Sequence, residues 1–211
     1  MRDLPRRTVS AIVYAAFVLV AVFSPDPVFA LALVTVGVLA FGELFALRRA
    51  GPVVVLELFL VAAGLASLYF LRLLNPFPYA VLLMTIVAVW AADVVAYAVG
   101  STLGRRKIVP RISPGKTWEG TVAGFVAAAL VVALANAPLV GLYVWWVVTA
   151  ILIGPVAFAG DLVESWMKRR AGVKDSGTLL PGHGGVLDRI DSLVAAAPLV
   201  TMAIVLLGRV G

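Results

Sequence analysis

The chain has no cysteine, which excludes a disulfide framework, a thiolate nucleophile and any zinc–thiolate site. Charge is also scarce. Only 13% of the 211 residues are charged while 63% are hydrophobic, and the mean hydropathy of +1.07 lies far above that of an ordinary soluble domain. Lipid is therefore the expected solvent for most of the chain. A span takes about 20 apolar residues, so seven spans would use about 140 positions, leaving about 70 for loops and chemistry and no room for a separate soluble domain. The net charge of +6 suits anionic lipid or phosphates. Because the basic residues sit in short gaps between apolar runs, no nucleic acid partner is expected.

What is abundant is long apolar sequence. Runs cover Thr8 to Phe23, Val28 to Leu47, Val53 to Leu71, Tyr79 to Val99, Trp118 to Ala135, Leu139 to Gly160 and Leu193 to Leu207. The reading is an all-α polytopic membrane protein of about seven transmembrane helices. It is one domain over residues 1–211, with N-terminal helices over 8–99 and a catalytic half over 100–211. The first run follows Arg2, Arg6 and Arg7 and precedes Ala30-Leu31-Ala32, in the outline of a cleaved signal, but the six later spans favour a retained anchor. Ser24-Pro25-Asp26-Pro27, Gly51-Pro52, Asn75-Pro76-Phe77-Pro78 and Asn136-Ala137-Pro138 are turn chemistry.

With the N-terminus inside, all of the 17 Lys and Arg residues except Arg72 and Arg209 fall on the cytoplasmic side, and the C-terminus falls outside. The two long polar loops, 100–117 and 161–191, then share that side. The expected chemistry is there.

The second loop reads DLVESWMKRRAGVKDSGTLLPGHGGVLDRID. Asp161, Glu164 and Lys168 fall at i, i+3 and i+7, on one face of a helix continuing out of span six. Asp188 and Asp191 stand where span seven begins. Carboxylates at both edges of one loop can converge on a hard cation such as Mg²⁺, which takes oxygen ligands and shares them with substrate phosphates. The alternative is solvated loop charges with N-cap aspartates. Between the acids, Pro181-Gly182-His183-Gly184-Gly185 carries the only histidine, and its glycines would let backbone N–H groups approach an anionic ligand.

The first loop ends Ser113-Pro114-Gly115-Lys116-Thr117-Trp118-Glu119-Gly120. Ser then Pro predicts an N-cap followed by the first helical position of span five, an anion site that Lys116 would strengthen. Glu119, one turn in, would be costly in lipid unless paired. Asp93 lies inside span four with Tyr97 one turn later. An intramembrane acid is a functional candidate, with pairing to a nearby Arg or Lys as the structural alternative. Glu43 and Glu57, near the inner ends of their spans, are read as structural. Gly120 and Gly124 form a small-xxx-small pair for close helix packing.

Taken together, Ser165, Lys168-Arg169, Lys174-Asp175, Pro181, His183-Gly184-Gly185, Asp188-Arg189 and Asp191 resemble the signature of the phosphatidate cytidylyltransferases. The Ser113 to Gly120 stretch and Asp93-x-x-x-Tyr97 look like that family's other two polar motifs in the same order, so the resemblance covers Asp93 to Asp191. It implies transfer of a cytidylyl group from CTP to phosphatidic acid, giving CDP-diacylglycerol and pyrophosphate. By the same resemblance Asp161, Asp188 and Asp191 would hold Mg²⁺, with K⁺ as a second ion, and these three with Lys168 would be catalytic. Asp93, Ser113, Lys116, Thr117, Glu119, Ser165, Arg169, Lys174, Asp175, His183, Gly184, Gly185 and Arg189 would bind substrate, Lys168 sharing in the phosphate grip. A lateral opening would admit the lipid, and a homodimer in the inner (plasma) membrane, its active site facing the cytoplasm, is expected from the family alone. Gly115 stands where the family often has a second lysine, and Arg170 adds a charge.

Two other readings are a CTP-dependent enzyme acting on another lipid phosphate, ether-linked or polyprenol, and a small ion-coupled transporter. A transporter predicts polar residues or broken helices at the midplane of paired halves, whereas the charges here keep to one face. The Asp-x-x-Asp-Gly-x-x-Ala-Arg pattern of CDP-alcohol phosphotransferases is absent.

Overall fold

In the computed structural model, residues 4–73, 79–136, 144–179 and 184–207 are described. They form seven helices: α1 (Leu4–Phe23), α2 (Asp26–Ala46), α3 (Val53–Leu73), α4 (Ala80–Thr102), α5 (Trp118–Asn136), α6 (Val144–Arg170) and α7 (Leu187–Leu207). A 3₁₀ turn at Arg48–Ala50 joins α2 to α3. All but α1 are long and apolar enough to cross a membrane; in α1 the apolar stretch is the shorter Ile12–Phe23. The outward faces carry large apolar side chains such as Val34, Phe59, Val94 and Leu134, which lipid rather than water would cover. The expected turns at Asn75–Pro78 and Ala137–Pro138 fall outside the described residues, as do Arg2, Arg209 and the Pro181–His183 segment.

Small residues set the helix spacing that the site depends on. A Cβ on Gly120 of α5 would lie 2.4 Å from the Ala96 carbonyl oxygen of α4, and one on Gly124 would lie 2.6 Å from that of Ala92. The small-xxx-small reading of this pair is thus met by backbone-to-backbone approach of α4 and α5. Gly160 of α6 does the same against α7, where a Cβ would meet Ala195 Cβ at 2.5 Å and the Asp191 carbonyl oxygen at 2.8 Å. That contact draws the acidic start of α7 onto α6. One apolar core, including Leu71, Leu82, Val89, Ile153 and Val200, fills the bundle, and a second, around Leu44, Met167, Leu187 and Val194, lies under the polar loops.

Two boundaries differ from expectation. Ser113 and Pro114 do not open span five. Residues Ser113–Thr117 form strand β2, antiparallel to β1 (Lys107–Val109), with Lys107 opposite Thr117 and Val109 opposite Ser113. The cap of α5 is Thr117, whose Oγ1 accepts the Gly120 N–H at 3.2 Å, the N-cap-to-N3 bond of a helix start. Pairing with a strand several residues upstream overrode the local Ser-Pro signal. The 161–191 loop is also shorter than read, because α6 carries Asp161 to Lys168 and α7 already includes Asp188 and Asp191.

Candidate active site

At the end of the bundle where the hairpin and the α6–α7 loop meet, a cavity of about 770 Å³ opens between α4, α5, α6 and α7. Its inner wall, from Ala92, Ala96, Gly124, Gly154 and Ala157, is small and apolar, and its mouth is charged. Of the residues singled out from sequence, Asp93, Ser113, Lys116, Thr117, Asp161, Ser165, Lys168, Arg169, Lys174, Asp175, Asp188, Arg189 and Asp191 all line it. Residues nearly a hundred positions apart thus share one space.

The acids meet, but in a different trio from the one expected. One carboxylate oxygen each from Asp161, Glu164 and Asp191 lie within 4.8 Å of one another. Asp188, expected from sequence, is not one of this trio. Glu164 is fully buried, its Oε1 meets no N–H or O–H donor among the described residues, and its carboxyl lies within hydrogen-bonding reach of Asp191. Buried carboxylates this close need a cation or a shared proton between them. Three oxygen donors with one unsatisfied suit a hard divalent cation. The sequence signal for Glu164 was its i, i+3 spacing from Asp161.

Asp188 is engaged by the protein. Its Oδ1 pairs with Lys168 Nζ, while its Oδ2 accepts the Ser176 N–H at 2.9 Å and the Gly185 N–H at 2.7 Å. Gly184, at φ 81°, has the left-handed backbone that favours glycine, and a Cβ there would lie 2.3 Å from Asp188 Oδ2. The described part of the glycine-rich turn, Gly184 and Gly185, thus closes on the chain's own aspartate. Gly184 and Gly185 do not line the cavity, and His183 lies outside the described residues.

The remaining groups divide between those committed to the protein and those turned to the cavity. Lys168 also pairs with Glu164, 2.9 Å from Oε2. Lys116 pairs with Asp161 and sits 4.5 Å over the Phe158 ring, and Ser165 Oγ donates to Asp161 Oδ1 at 3.1 Å. Asp191 Oδ1 accepts its neighbour's amide, Ser192 N, at 2.7 Å. Arg169 donates to the carbonyls of Ile112 and Val173, tying the hairpin to the end of α6. Arg189 Nε is buried with no hydrogen-bond partner among the described residues, so its guanidinium is not fully spent on them. Glu119 lies off the cavity, its Oε2 accepting the N–H groups of Arg105 at 3.1 Å and Arg106 at 3.3 Å. That pairing answers the cost foreseen for an acid at the start of a span.

The fold and cavity define a polytopic membrane protein with a charged, metal-competent site at one end of its spans. The family model described as "Cytidylyltransferase family" matches residues 51–207, and the chain belongs to that family. It is 48% identical over 147 residues to a phosphatidate cytidylyltransferase of Brucella abortus, covering 67% of this chain and 53% of that protein. With the enzyme of the same name from Pseudomonas aeruginosa it shares 49% over 146 residues, 61% of this chain and 49% of the relative. The corresponding figures for Synechocystis are 51% over 132 residues, 60% and 44%. The chain spans about half the length of the curated relatives it matches.

Proposed function

We propose that the protein transfers a cytidylyl group from CTP to phosphatidic acid, forming CDP-diacylglycerol and pyrophosphate. The observation that carries this reading is the partly unsatisfied acid trio of Asp161, Glu164 and Asp191 opening on the same cavity as Lys116, Lys174 and Arg189. An oxygen of the lipid phosphate attacks the α-phosphorus of CTP in line. The bond from that phosphorus to the bridging oxygen breaks, and the electron pair leaves on pyrophosphate. The family membership supports the reaction class, and the similarity to proteins named phosphatidate cytidylyltransferase supports the substrates.

The chain's own groups are suited to binding and orientation. Lys174, Arg189, Ser113 and Lys116 surround the mouth, where they would receive phosphate oxygens. The small apolar wall of Ala92, Ala96, Gly124, Gly154 and Ala157 leaves room for the glycerol end of a lipid whose tails stay among the helices. Asp161, Glu164 and Asp191 would hold Mg²⁺, with K⁺ as a second ion; bound there, the divalent ion supplies charge neutralisation for the phosphates and the departing pyrophosphate. The Lys and Arg bias supports an inner-membrane protein with the site facing the cytoplasm, and a homodimer is part of the proposal.

The test is conversion of labelled CTP and phosphatidic acid by the purified protein in detergent or lipid. Product is expected only with a divalent metal. A folded protein that turns over neither substrate, in any metal, refutes the reading.

A further inference from the structure

Glu43 lies on α2, outside residues 51–207, and does not line the cavity. Its carboxylate nonetheless accepts three hydrogen bonds from the other end of the chain: Ser176 Oγ at 2.7 Å, the Val186 N–H at 2.8 Å and the Leu187 N–H at 2.9 Å. The Leu187 amide opens α7, so a residue more than 140 positions away does the work of that helix's N-terminal cap. The turn is wrapped tightly on the group. A Cβ on Gly185 would fall 2.3 Å from Glu43 Oε2, and one on Gly177 would fall 2.7 Å from Oε1. No ion pair of Glu43 occurs among the described residues, so its charge is met by amides and a hydroxyl.

Ser176 carries the connection inward. Its hydroxyl lies 2.7 Å from Glu43 and 3.0 Å from Asp188 Oδ2, and its amide donates to the same Oδ2. One hydroxyl proton between two carboxylates can be given to only one of them at a time, so the hold on Glu43 and the hold on Asp188 depend on each other. Asp188 pairs with Lys168, and Lys168 pairs with Glu164 of the acid trio. A line of polar contacts therefore runs Glu43, Ser176, Asp188, Lys168, Glu164.

We propose that Glu43 is a positioning residue for the reaction: it clasps the α6–α7 turn and the start of α7 from α2, and so sets the acids and basic groups that receive the triphosphate. The proposal rests on the cytidylyl-transfer reading for its kinetic consequence, but not for its structural one. Among the described residues, the hydrogen bonds of Glu43 all go to Ser176, Val186 and Leu187 and none to the apolar wall on α4, α5 and α6 or to the hairpin. Its loss should weaken the grip on CTP and leave the lipid end alone.

Glu43→Gln keeps the shape and exchanges one acceptor oxygen for an amide NH2 that faces donors. The KM for CTP should rise about tenfold, the size of one charged hydrogen bond lost, while the KM for phosphatidic acid stays within about twofold. Combined with Ser176→Ala, the double variant should be less impaired than the product of the single effects, because both cut the same line. Hydrogen–deuterium exchange of the peptide bearing Val186 and Leu187, read without substrate, should quicken by about tenfold in Glu43→Gln. Unchanged exchange, equal shifts in both KM values, or strict multiplicativity of the two substitutions each overturns the proposal. If the wild type has no turnover, the cytidylyl-transfer reading fails while the exchange measurement still decides the clasp. Should Glu43→Gln not assemble, Ser176→Ala alone must show the faster exchange and the selective KM effect, and their absence there overturns it too.

Discussion

Lys168 stands between two carboxylates from different helices, pairing with Glu164 one turn back on its own helix and with Asp188 at the start of the next. The three side chains are almost wholly buried, at 10%, 1% and 5% exposure. Replacing Lys168 by Met keeps the stem and removes the charge, leaving two acids facing each other without their counter-charge. Breaking such a buried group costs about 3–5 kcal/mol. Lys168→Met is therefore expected to lower the thermal unfolding temperature in detergent as well as activity. Wild-type stability in that variant would show the cluster to be solvated and the pairing weak.

Asp188 and Glu164 can be told apart by metal titration. Both are acids beside the same lysine, but among the described residues it is Glu164 that groups with Asp161 and Asp191, each with one oxygen within 4.8 Å of the others. Glu164→Gln should raise the Mg²⁺ concentration for half-maximal turnover about tenfold or more. Asp188→Asn should cut the rate through the loss of Lys168 and the Ser176 and Gly185 amides, on the order of 10–100-fold as for outer-shell partners. Its Mg²⁺ midpoint should move little. A large midpoint shift in Asp188→Asn and none in Glu164→Gln would restore Asp188 as the ligand.

This contrast marks where sequence reasoning stopped. Hydropathy made the helices legible, because lipid demands about 20 apolar residues in a row whatever they pack against. The i, i+3 spacing put Asp161 and Glu164 on one face, and the polar stretches pointed to one end of the bundle. Which acid faces the others depends on how α7 lies on α6, a contact that Gly160 permits and no local pattern announces. For the same reason Glu43 could be read as structural but its partners could not be named. A lone acid near a helix end has no period, and its partners lie more than 130 residues away. Ser113-Pro114 misled because its strand partner, not its helix propensity, decides its conformation.

The close approach of α4 and α5 predicts a sharp size limit at Gly120. A Cβ there meets the Ala96 carbonyl and the Gly100 Cα at 2.4 and 2.8 Å, both backbone, so no side chain can swing aside. Gly120→Val should force the helices apart at a cost of about 1–3 kcal/mol. The cavity they wall would change shape with them. Thermal unfolding and lipid KM should both worsen, whereas Gly115→Val, where a Cβ meets nothing within 4 Å among the described residues, serves as the tolerated control for stability.

Glu119 offers a test of how the hairpin holds Lys116. Its Oε2 accepts two amides, those of Arg105 and Arg106, just ahead of β1, and the Thr117 hydroxyl caps α5 beside it. Lys116 immediately precedes Thr117 in the chain and reaches Asp161 across the cavity. Glu119→Gln leaves one oxygen to accept both amides and removes the charge that strengthens them. Thr117→Val keeps the shape and deletes the cap, costing about 1 kcal/mol. If the hairpin positions Lys116, each variant should raise KM for the phosphate-bearing substrates more than it lowers stability, and neither should add much to Lys116→Met. Full additivity with Lys116→Met would mean that Glu119 and Thr117 serve the helix start alone, with no reach into the cavity.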